Sequence, residues 1–353
     1  MIKKNNFEAT KLITKILHLS NEELMYSDYL FNIAYGVDKN FLFGTGVSIT
    51  SILMHNKDMN FHFHVFTDFF DDEQERLFLQ LTKLTNTKIT IYLIKDEKLK
   101  KLPTNYCWSY AIYFRLIIAD YLNSKIKNIL YLDSDIFCKG SIYDLKKLNF
   151  ENDIIVYAIH DREAKNKSEL KINTNKYFNS GFLYIDLIKY KNNNITTKVF
   201  NKLNKKNKFI YPDQDALNIC LNKKVHLISI KYNTFFSIDT LLKVKSRNKY
   251  SIPYNSVLIH FVGLSKPWHD WTADYIANET FRLAKLNSPW VNHKLIMPKT
   301  YKEILKKSRH LKCQNKYFKS YLFYMKYLLS KLKQKMHENL NIIMRTIIKG
   351  KLE

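Results

Sequence analysis

The sequence predicts an α/β fold, a sheet with helices on its faces, followed by a mainly helical and strongly basic C-terminal region. Three observations lead there. Strand-like and helix-like stretches alternate along most of the chain. One short apolar run, Asn128-Ile129-Leu130-Tyr131-Leu132, ends abruptly in two carboxylates, Asp133 and Asp135, one residue apart. The last stretch, Val291 to Glu353, carries sixteen Lys and Arg against three Glu.

The elements follow in order. Residues 1–27 read as a short helical extension, with Leu12, Ile13, Ile16, Leu17 and Leu19 on one rough face. Phe31 to Val37 is strand-like. Gly44 to Met54 reads as a helix, Phe61 to Thr67 as an alternating strand, and Asp71 to Leu84 as a helix opened by acidic residues. Thr87 to Ile94 is another strand. Trp108 to Tyr121 is apolar nearly all round, which predicts a buried helix. Strand 127–132 then brings the chain to the carboxylate pair. Further on, Asp153–His160, Tyr177–Leu187 and Val257–Val262 read as strands, and Asp213–Leu221 as a helix. The Lys- and Asn-rich stretches 189–194 and 201–208 read as solvated loops or a helix face. Such spacing predicts a mainly parallel sheet, and ligands of parallel sheets bind beyond the carboxyl ends of the strands. Asp38, Thr67-Asp68 and Asp133/Asp135 all fall at such ends.

Composition narrows the class. Of 353 residues, 46% are hydrophobic, enough for a packed core, which excludes global disorder. Gly and Pro are scarce, which argues against collagen-like or loop-dominated architectures. The net charge is +25, of which about +13 lies beyond residue 290. A basic tail of this kind predicts an anionic partner, either membrane or nucleic acid. Cys107, Cys138, Cys220 and Cys313 form no CxxC pair, so reduced thiols are expected. Met1–Thr10 has no apolar signal core, and no run of 18 apolar residues exists, so the expected location is the cytoplasmic side of a membrane.

Four constellations carry chemistry. Asp133-Ser134-Asp135 brings two carboxylates to one point if the chain turns after the strand. Hard oxygen ligands suit Mg²⁺ or Mn²⁺ bridging a diphosphate, while a solvated turn is the other reading. Asn179-Ser180-Gly181 opens an apolar strand and offers sugar hydroxyls a donor and an acceptor; a β-bulge or turn is the alternative. Pro212-Asp213-Gln214-Asp215 sets polar side chains at a helix start, either facing a substrate or with Asp213 as N-cap. His260-Phe261-Val262-Gly263-Leu264-Ser265-Lys266 ends a strand in an imidazole, followed by Gly and Lys. That His can complete a metal shell and the Lys can neutralise phosphate, though a strand-end His is also commonly structural. A haloacid-dehalogenase-type phosphatase also uses a strand followed by Asp-x-Asp. It wants Thr or Val two residues past the second Asp, where Phe137 stands. A nucleic-acid-binding protein would use the basic tail, but no binding motif is present and the Asp-rich centre repels phosphate without a metal.

Together these segments resemble the family 8 retaining glycosyltransferases of the GT-A fold, and more narrowly the bacterial lipopolysaccharide core glucosyl- and galactosyltransferases. The resemblance rests on Phe31–Asn56, Phe61–Asp68, Tyr113–Tyr121, Ile129–Gly140, Tyr177–Leu187, Asp213–Asn218 and His260–His269, in order over about residues 30–275. Ser288-Pro289-Trp290 and Pro298-Lys299-Thr300 extend it into the tail. It implies a Rossmann-like mixed sheet in a catalytic domain over 28–275 and a C-terminal region over 276–353. It implies a UDP-glucose or UDP-galactose donor, a lipopolysaccharide core acceptor, Mn²⁺ or Mg²⁺, and retention of α configuration. Another surface glycan or a protein is the alternative acceptor.

The resemblance also implies roles. Asp133, Asp135 and His260 match the metal ligands. Asp38 and Asn40 match uracil and ribose contacts, and Arg115 a contact to donor sugar and phosphate. Asp161, Asn179, Asp213 and Gln214 match donor-sugar contacts, with Ser134 in the same pocket. Gly263 and Lys266 match the diphosphate contacts. Ser180 stands where relatives often carry Ala, and adds a hydroxyl near the sugar. A double displacement needs a carboxylate beneath the anomeric carbon. The matching residue is the amide Gln214, which favours a front-face ion-pair mechanism with Asp213 as fallback nucleophile.

The tail segment Phe318 to Leu332 mixes aromatics, Leu and Lys with no acid. As a helix it has the profile of an interfacial anchor, expected on the cytoplasmic face of the inner membrane, with nucleic acid not expected as a partner. A helix packed on the catalytic domain is the alternative.

Overall fold

The computed structural model describes residues 8–20, 30–85, 87–95, 97, 99–104, 109–161, 170, 172–204, 209–244 and 250–349, with side chains up to Met336 in the last helix. These form two compact units, interleaved in sequence. The first comprises Met1–Phe236, Ile252–Phe261 and Thr280–Asn292. The second comprises Ser237–Ser251, Val262–Glu279 and His293–Glu353.

The first unit holds strands β1 (Ile13–Leu19), β2 (Phe31–Val37), β3 (Phe61–Thr67), β4 (Lys88–Ile94), β5 (Asn128–Leu132), β6 (Ile136–Cys138), β7 (Val156–His160), β8 (Phe178–Asp186), β9 (Val225–Leu227), β10 (Thr234–Phe236) and β11 (Leu258–Phe261). Its helices are α1 (Leu42–His55), α2 (Asp72–Thr85), α3 (Phe114–Leu122), α4 (Leu187–Asn192), α5 (Ile195–Leu203), α6 (Pro212–Leu221) and α7 (Glu279–Leu286). Eight strands form one sheet in the order β1-β4-β3-β2-β5-β8-β7-β9. The run β4-β3-β2-β5 is parallel. β8 is antiparallel to both neighbours, so the sheet is mixed rather than mainly parallel. A second sheet, β10-β11-β6, has strands of only three or four residues.

The N-terminal segment departs from the expected helix. Residues 13–19 form β1, paired antiparallel with β4, with a 3-10 turn at Ala9–Leu12 before it. Residues 1–7 and 21–27 lie outside the described residues. The physical reason is the edge of β4, whose unpaired N–H and C=O groups need a partner. Seven residues fit a helical or a strand period equally, and this demand decides between them. On β1, Leu19 is buried while Thr14, Ile16 and His18 face out.

α3 is buried on nearly every side, as the apolar composition predicts, although Tyr110–Tyr113 before it is a 3-10 turn and 105–108 lie outside the described residues. Lys189–Asn192 belong to α4, and α5 ends at Leu203. α1 is buried too, yet rich in Ser and Thr. Its hydroxyls have partners: Ser48 Oγ donates to the Ile136 carbonyl at 2.6 Å, and Ser51 Oγ accepts from the Cys138 N–H at 2.8 Å. These bonds satisfy the backbone of β6, which would otherwise be an unpaired edge in the core. α1 also carries Gly46, where a Cβ would lie 2.2 Å from the Trp290 ring. Trp290 is fully buried in this notch and meets Phe78 edge-on.

In the second unit, α8 (Tyr301–Cys313) starts with a capping box, Thr300 and Glu303 each bonding the other's backbone. α9 (Tyr317–Lys349) packs on it through Ser320, bonded to Ser308, and Phe323, which lies under the Lys307 ammonium at 4.0 Å. Trp268 and Trp271 are buried here. Gly263 takes φ +94, a left-handed conformation that suits Gly. Among the described residues no helix is long and apolar enough to cross a membrane. Among the described residues Cys138, Cys220 and Cys313 are in no disulfide, and Cys107 lies outside the described residues.

Candidate active site

Because β2, β3, β5 and β7 run the same way, their carboxyl ends lie on one edge of the sheet, and β8 begins there. Asp38 follows β2 and caps a 3-10 turn, its Oδ1 accepting from the Asn40 N–H at 2.9 Å. Asp133, Ser134 and Asp135 form the turn after β5, and Asp161 follows β7. Asn179 and Ser180 open β8, where the pairing with β7 jumps from Ala158↔Leu183 to Ile159↔Asn179. The bulge, the alternative reading of this motif, is therefore present, and residues 180–182 leave β7 while Phe182 stays paired with β5.

His260 arrives through the second sheet. β6 starts directly after Asp135, and β11 pairs with it antiparallel, His260 opposite Ile136. The Phe261 N–H donates to the Asp135 carbonyl at 3.0 Å. This pairing sets His260 Nε2 at 3.2 Å from Asp135 Oδ1 and 3.9 Å from Asp133 Oδ2. One donor atom from each of the three residues lies within 4.8 Å of the other two. Gly181 leaves the room for this: a Cβ there would lie 2.7 Å from both Asp133 Oδ2 and His260 Cε1. Two hard carboxylates and an imidazole, converging and mostly buried, suit a divalent cation.

Arg115, in the first turn of α3, ties the pair to the rest. Nη2 donates to Asp133 Oδ1 at 3.0 Å, and Nη1 lies 3.2 Å from Asp213 Oδ2 and donates to the Ser180 carbonyl at 2.6 Å. Its guanidinium stacks over Tyr131, whose hydroxyl also donates to Asp133 Oδ1 at 2.8 Å. Asp213 and Gln214 lie in the first turn of α6. The N-cap is Tyr211, with Pro212 following it, so Asp213 does not cap the helix. Burial pushes the Asp213 carboxyl above its usual range; Arg115 opposes this and Asp133 adds to it. The Ser180 hydroxyl donates to Asp213 Oδ2 at 3.1 Å.

Gln214 is held at both ends. Its Oε1 accepts from the Ser180 N–H at 3.0 Å and Asn179 Nδ2 at 3.2 Å; its Nε2 donates to Asp161 Oδ2 at 3.2 Å and Tyr177 OH at 2.9 Å. Tyr177 OH in turn donates to Asp215 Oδ1 at 2.6 Å.

The structure thus joins Arg115, Asp133, Asp135, Asp161, Asn179, Ser180, Asp213, Gln214 and His260 in one polar network. Asp38 and Asn40 share the strand-end edge and bond each other. Gly263 and Lys266 belong to the second unit. Sequence reasoning missed Tyr131, Tyr177 and Asn233. Tyr131 sits on β5 two residues before Asp133, a period-two signal that could have found it. Asn233 has no local signal.

The mixed α/β sheet flanked by helices matches the GT-A fold of solved glycosyltransferases. The comparisons make the assignment particular. The profile "Glycosyl transferase family 8" matches residues 32–272, and "Glycosyl transferase family 8 C-terminal" matches 275–331. The chain belongs to glycosyltransferase family 8 and is a hexosyltransferase. It is 36% identical over 336 residues to the lipopolysaccharide glucosyltransferase WaaO of Escherichia coli K12, covering 93% of this chain and 98% of that one. It is 42% identical over 311 residues to a lipopolysaccharide 1,3-galactosyltransferase of Salmonella typhimurium, covering 86% and 91%. Among solved structures, the galactosyltransferase LgtC with donor and acceptor sugar analogues shares the fold at a TM-score of 0.59 and 21% identity, covering 72% of this chain and 95% of that one.

Proposed function

We propose that this chain moves glucose or galactose, with retention, from a UDP-sugar to a hexose of the lipopolysaccharide outer core, forming an α-1,2 or α-1,3 linkage. The observation that carries this reading is the Asp133–Asp135–His260 cluster, bonded through Arg115 to Asp213 and through Asn233 and Asn179 to Asp161 and Gln214. The acceptor follows from relatives that span nearly all of this chain and are named for lipopolysaccharide.

In this reading Asp38 and Asn40 hold uracil and ribose, Ser134 and Ser180 line the donor pocket, and Gly263 and Lys266 take the diphosphate. A divalent ion held by Asp133, Asp135 and His260 would stabilise charge on the leaving UDP; the imidazole in the set favours Mn²⁺ over Mg²⁺. Arg115 fixes Asp133 and Asp213 in place. Asp161 and Asn179 hold the Gln214 amide, whose oxygen already accepts two hydrogen bonds. An oxygen so engaged is a poor nucleophile, which supports front-face departure with Gln214 as a polar floor. Asp213 stays the fallback nucleophile, its carboxylate bonded to Arg115 and Ser180.

The test is a UDP-sugar panel with Mn²⁺ and a truncated lipopolysaccharide core. UDP release with gain of one hexose on the core, its linkage read by mass spectrometry, is the expected result. Phosphate release from phosphoesters without UDP release overturns it, and hexose transfer only to another glycan or a protein overturns the acceptor.

The reading includes docking on the anionic cytoplasmic face of the inner membrane. On α9, Phe318, Leu322, Met325, Leu329, Leu332 and Met336 recur at three- and four-residue steps, so they share one side, opposite Ser320 and Tyr327. That side is bare: Phe318 is 75% exposed and Leu332 60%. Lys319, Lys326 and Lys333 flank it. Each basic residue near an anionic surface contributes about 1 kcal/mol. Leu322→Glu/Leu329→Glu should abolish flotation with vesicles containing anionic lipid, while leaving the α8-facing side intact. Flotation equal to wild type rejects the membrane assignment.

A further inference from the structure

Asn233 is fully buried at the turn before β10, and it touches two parts of the site at once. One end of its amide is 3.0 Å from His260 Nδ1, and the other is 3.0 Å from Asn179 Oδ1. Which end is which follows from a single backbone group. The Gly181 N–H, which can only donate, points at Asn179 Oδ1 at 3.0 Å. Asn179 Oδ1 is therefore an acceptor, and its Nδ2 is the end that donates to Asp161 and Gln214. The atom that Asn233 presents to Asn179 Oδ1 must then be its NH₂. Its oxygen faces His260, so Nδ1 carries the ring hydrogen. The lone pair of Nε2 is left facing Asp135 and Asp133.

We infer that Asn233 is a positioning residue that sets the His260 tautomer for metal ligation and, by the same amide, ties the metal site to the donor-sugar pocket through Asn179. The inference rests on the metal-dependent donor site proposed above. An imidazole ligand needs its second nitrogen to donate to a fixed acceptor, and loss of such a partner costs about 10–100-fold in metal affinity. Asn233 differs from a carboxylate in that position because it also donates. An Asp there could still accept from Nδ1–H, but it would set a carboxylate oxygen against Asn179 Oδ1.

Two variants separate the two ends. Asn233→Leu removes both bonds, and Asn233→Asp keeps the one to His260 and breaks the one to Asn179. Mn²⁺ binding is read by electron paramagnetic resonance with Mn²⁺ alone, beside the thermal midpoint and the KM for UDP-hexose. Asn233→Leu should weaken Mn²⁺ by about 10–100-fold. Asn233→Asp should hold Mn²⁺ within about threefold of wild type while KM rises about tenfold, the loss expected of one polar contact. A folded Asn233→Leu that binds Mn²⁺ like wild type overturns the inference, and so does an Asn233→Asp that keeps the wild-type KM. Should Asn233→Leu fail to fold, the near-isosteric Asn233→Asp decides through its split between Mn²⁺ affinity and KM. Wild-type protein that binds no Mn²⁺ overturns the underlying metal reading, and this inference with it.

Discussion

Asp135→Asn should lower kcat for UDP-hexose by about 10³-fold or more, the scale on which lost transition-state charge stabilisation is felt. The substitution replaces one of three converging anionic or imidazole donors with a weaker, neutral amide and removes its charge, while the part of Asp135 that builds the sheet is untouched. Its carbonyl still accepts from the Phe261 N–H, and β6 still starts at Ile136. Asp135 is buried, with Asp133 nearby, so losing its charge relieves repulsion within the cluster. The thermal midpoint without metal is therefore expected to hold or rise. Adding Mn²⁺ should raise the midpoint of wild type, since an ion at 100 times its Kd stabilises the fold by about 2.7 kcal/mol. The variant should show no such rise. Turnover within tenfold of wild type, read as UDP release, would remove Asp135 from the ligand set.

Arg115→Met should destabilise the protein by about 3–5 kcal/mol, the usual cost of leaving buried charges without their partner. Its guanidinium is 5% exposed and serves Asp133, Asp213 and the Ser180 carbonyl together. Methionine fills much of the volume but strands two carboxylates. Arg115→Lys keeps the charge but cannot reach both acids with a planar fork, so an intermediate loss is expected. Urea unfolding of the three proteins measures this order. An Arg115→Met within 1 kcal/mol of wild type, a margin typical of a surface change, would show that the network carries no such load.

Much of the site is legible in the sequence because strand ends mark it. An apolar run that stops at Asp133 and a strand that closes on His260 are local signals. What joins them is not. β6 and β10 have three residues each, too few for any period, and the pairing of His260 with Ile136 joins strands far apart in the chain. Asn233 carries no signature because its meaning lies in two partners distant along the chain. At the N-terminus, Ile13, Ile16 and Leu17 fit a helical face and Ile13, Leu17 and Leu19 a strand's alternation, and the open edge of β4 chooses. The notch at Gly46 is equally silent, since nothing near residue 46 announces an indole from residue 290.

Asp135 and His260 stand on adjacent rungs of a hydrogen-bonded ladder, and the ladder acts as a ruler. Ligands on a loop drift apart or together as the loop moves. Here the bond from the Phe261 N–H to the Asp135 carbonyl holds the two backbones at a fixed separation. Neighbouring strands keep one spacing, about 4.8 Å, whatever ion approaches. Phe137 and Leu258, fully buried in that small sheet and holding no ligand atom, help keep those two rungs in register.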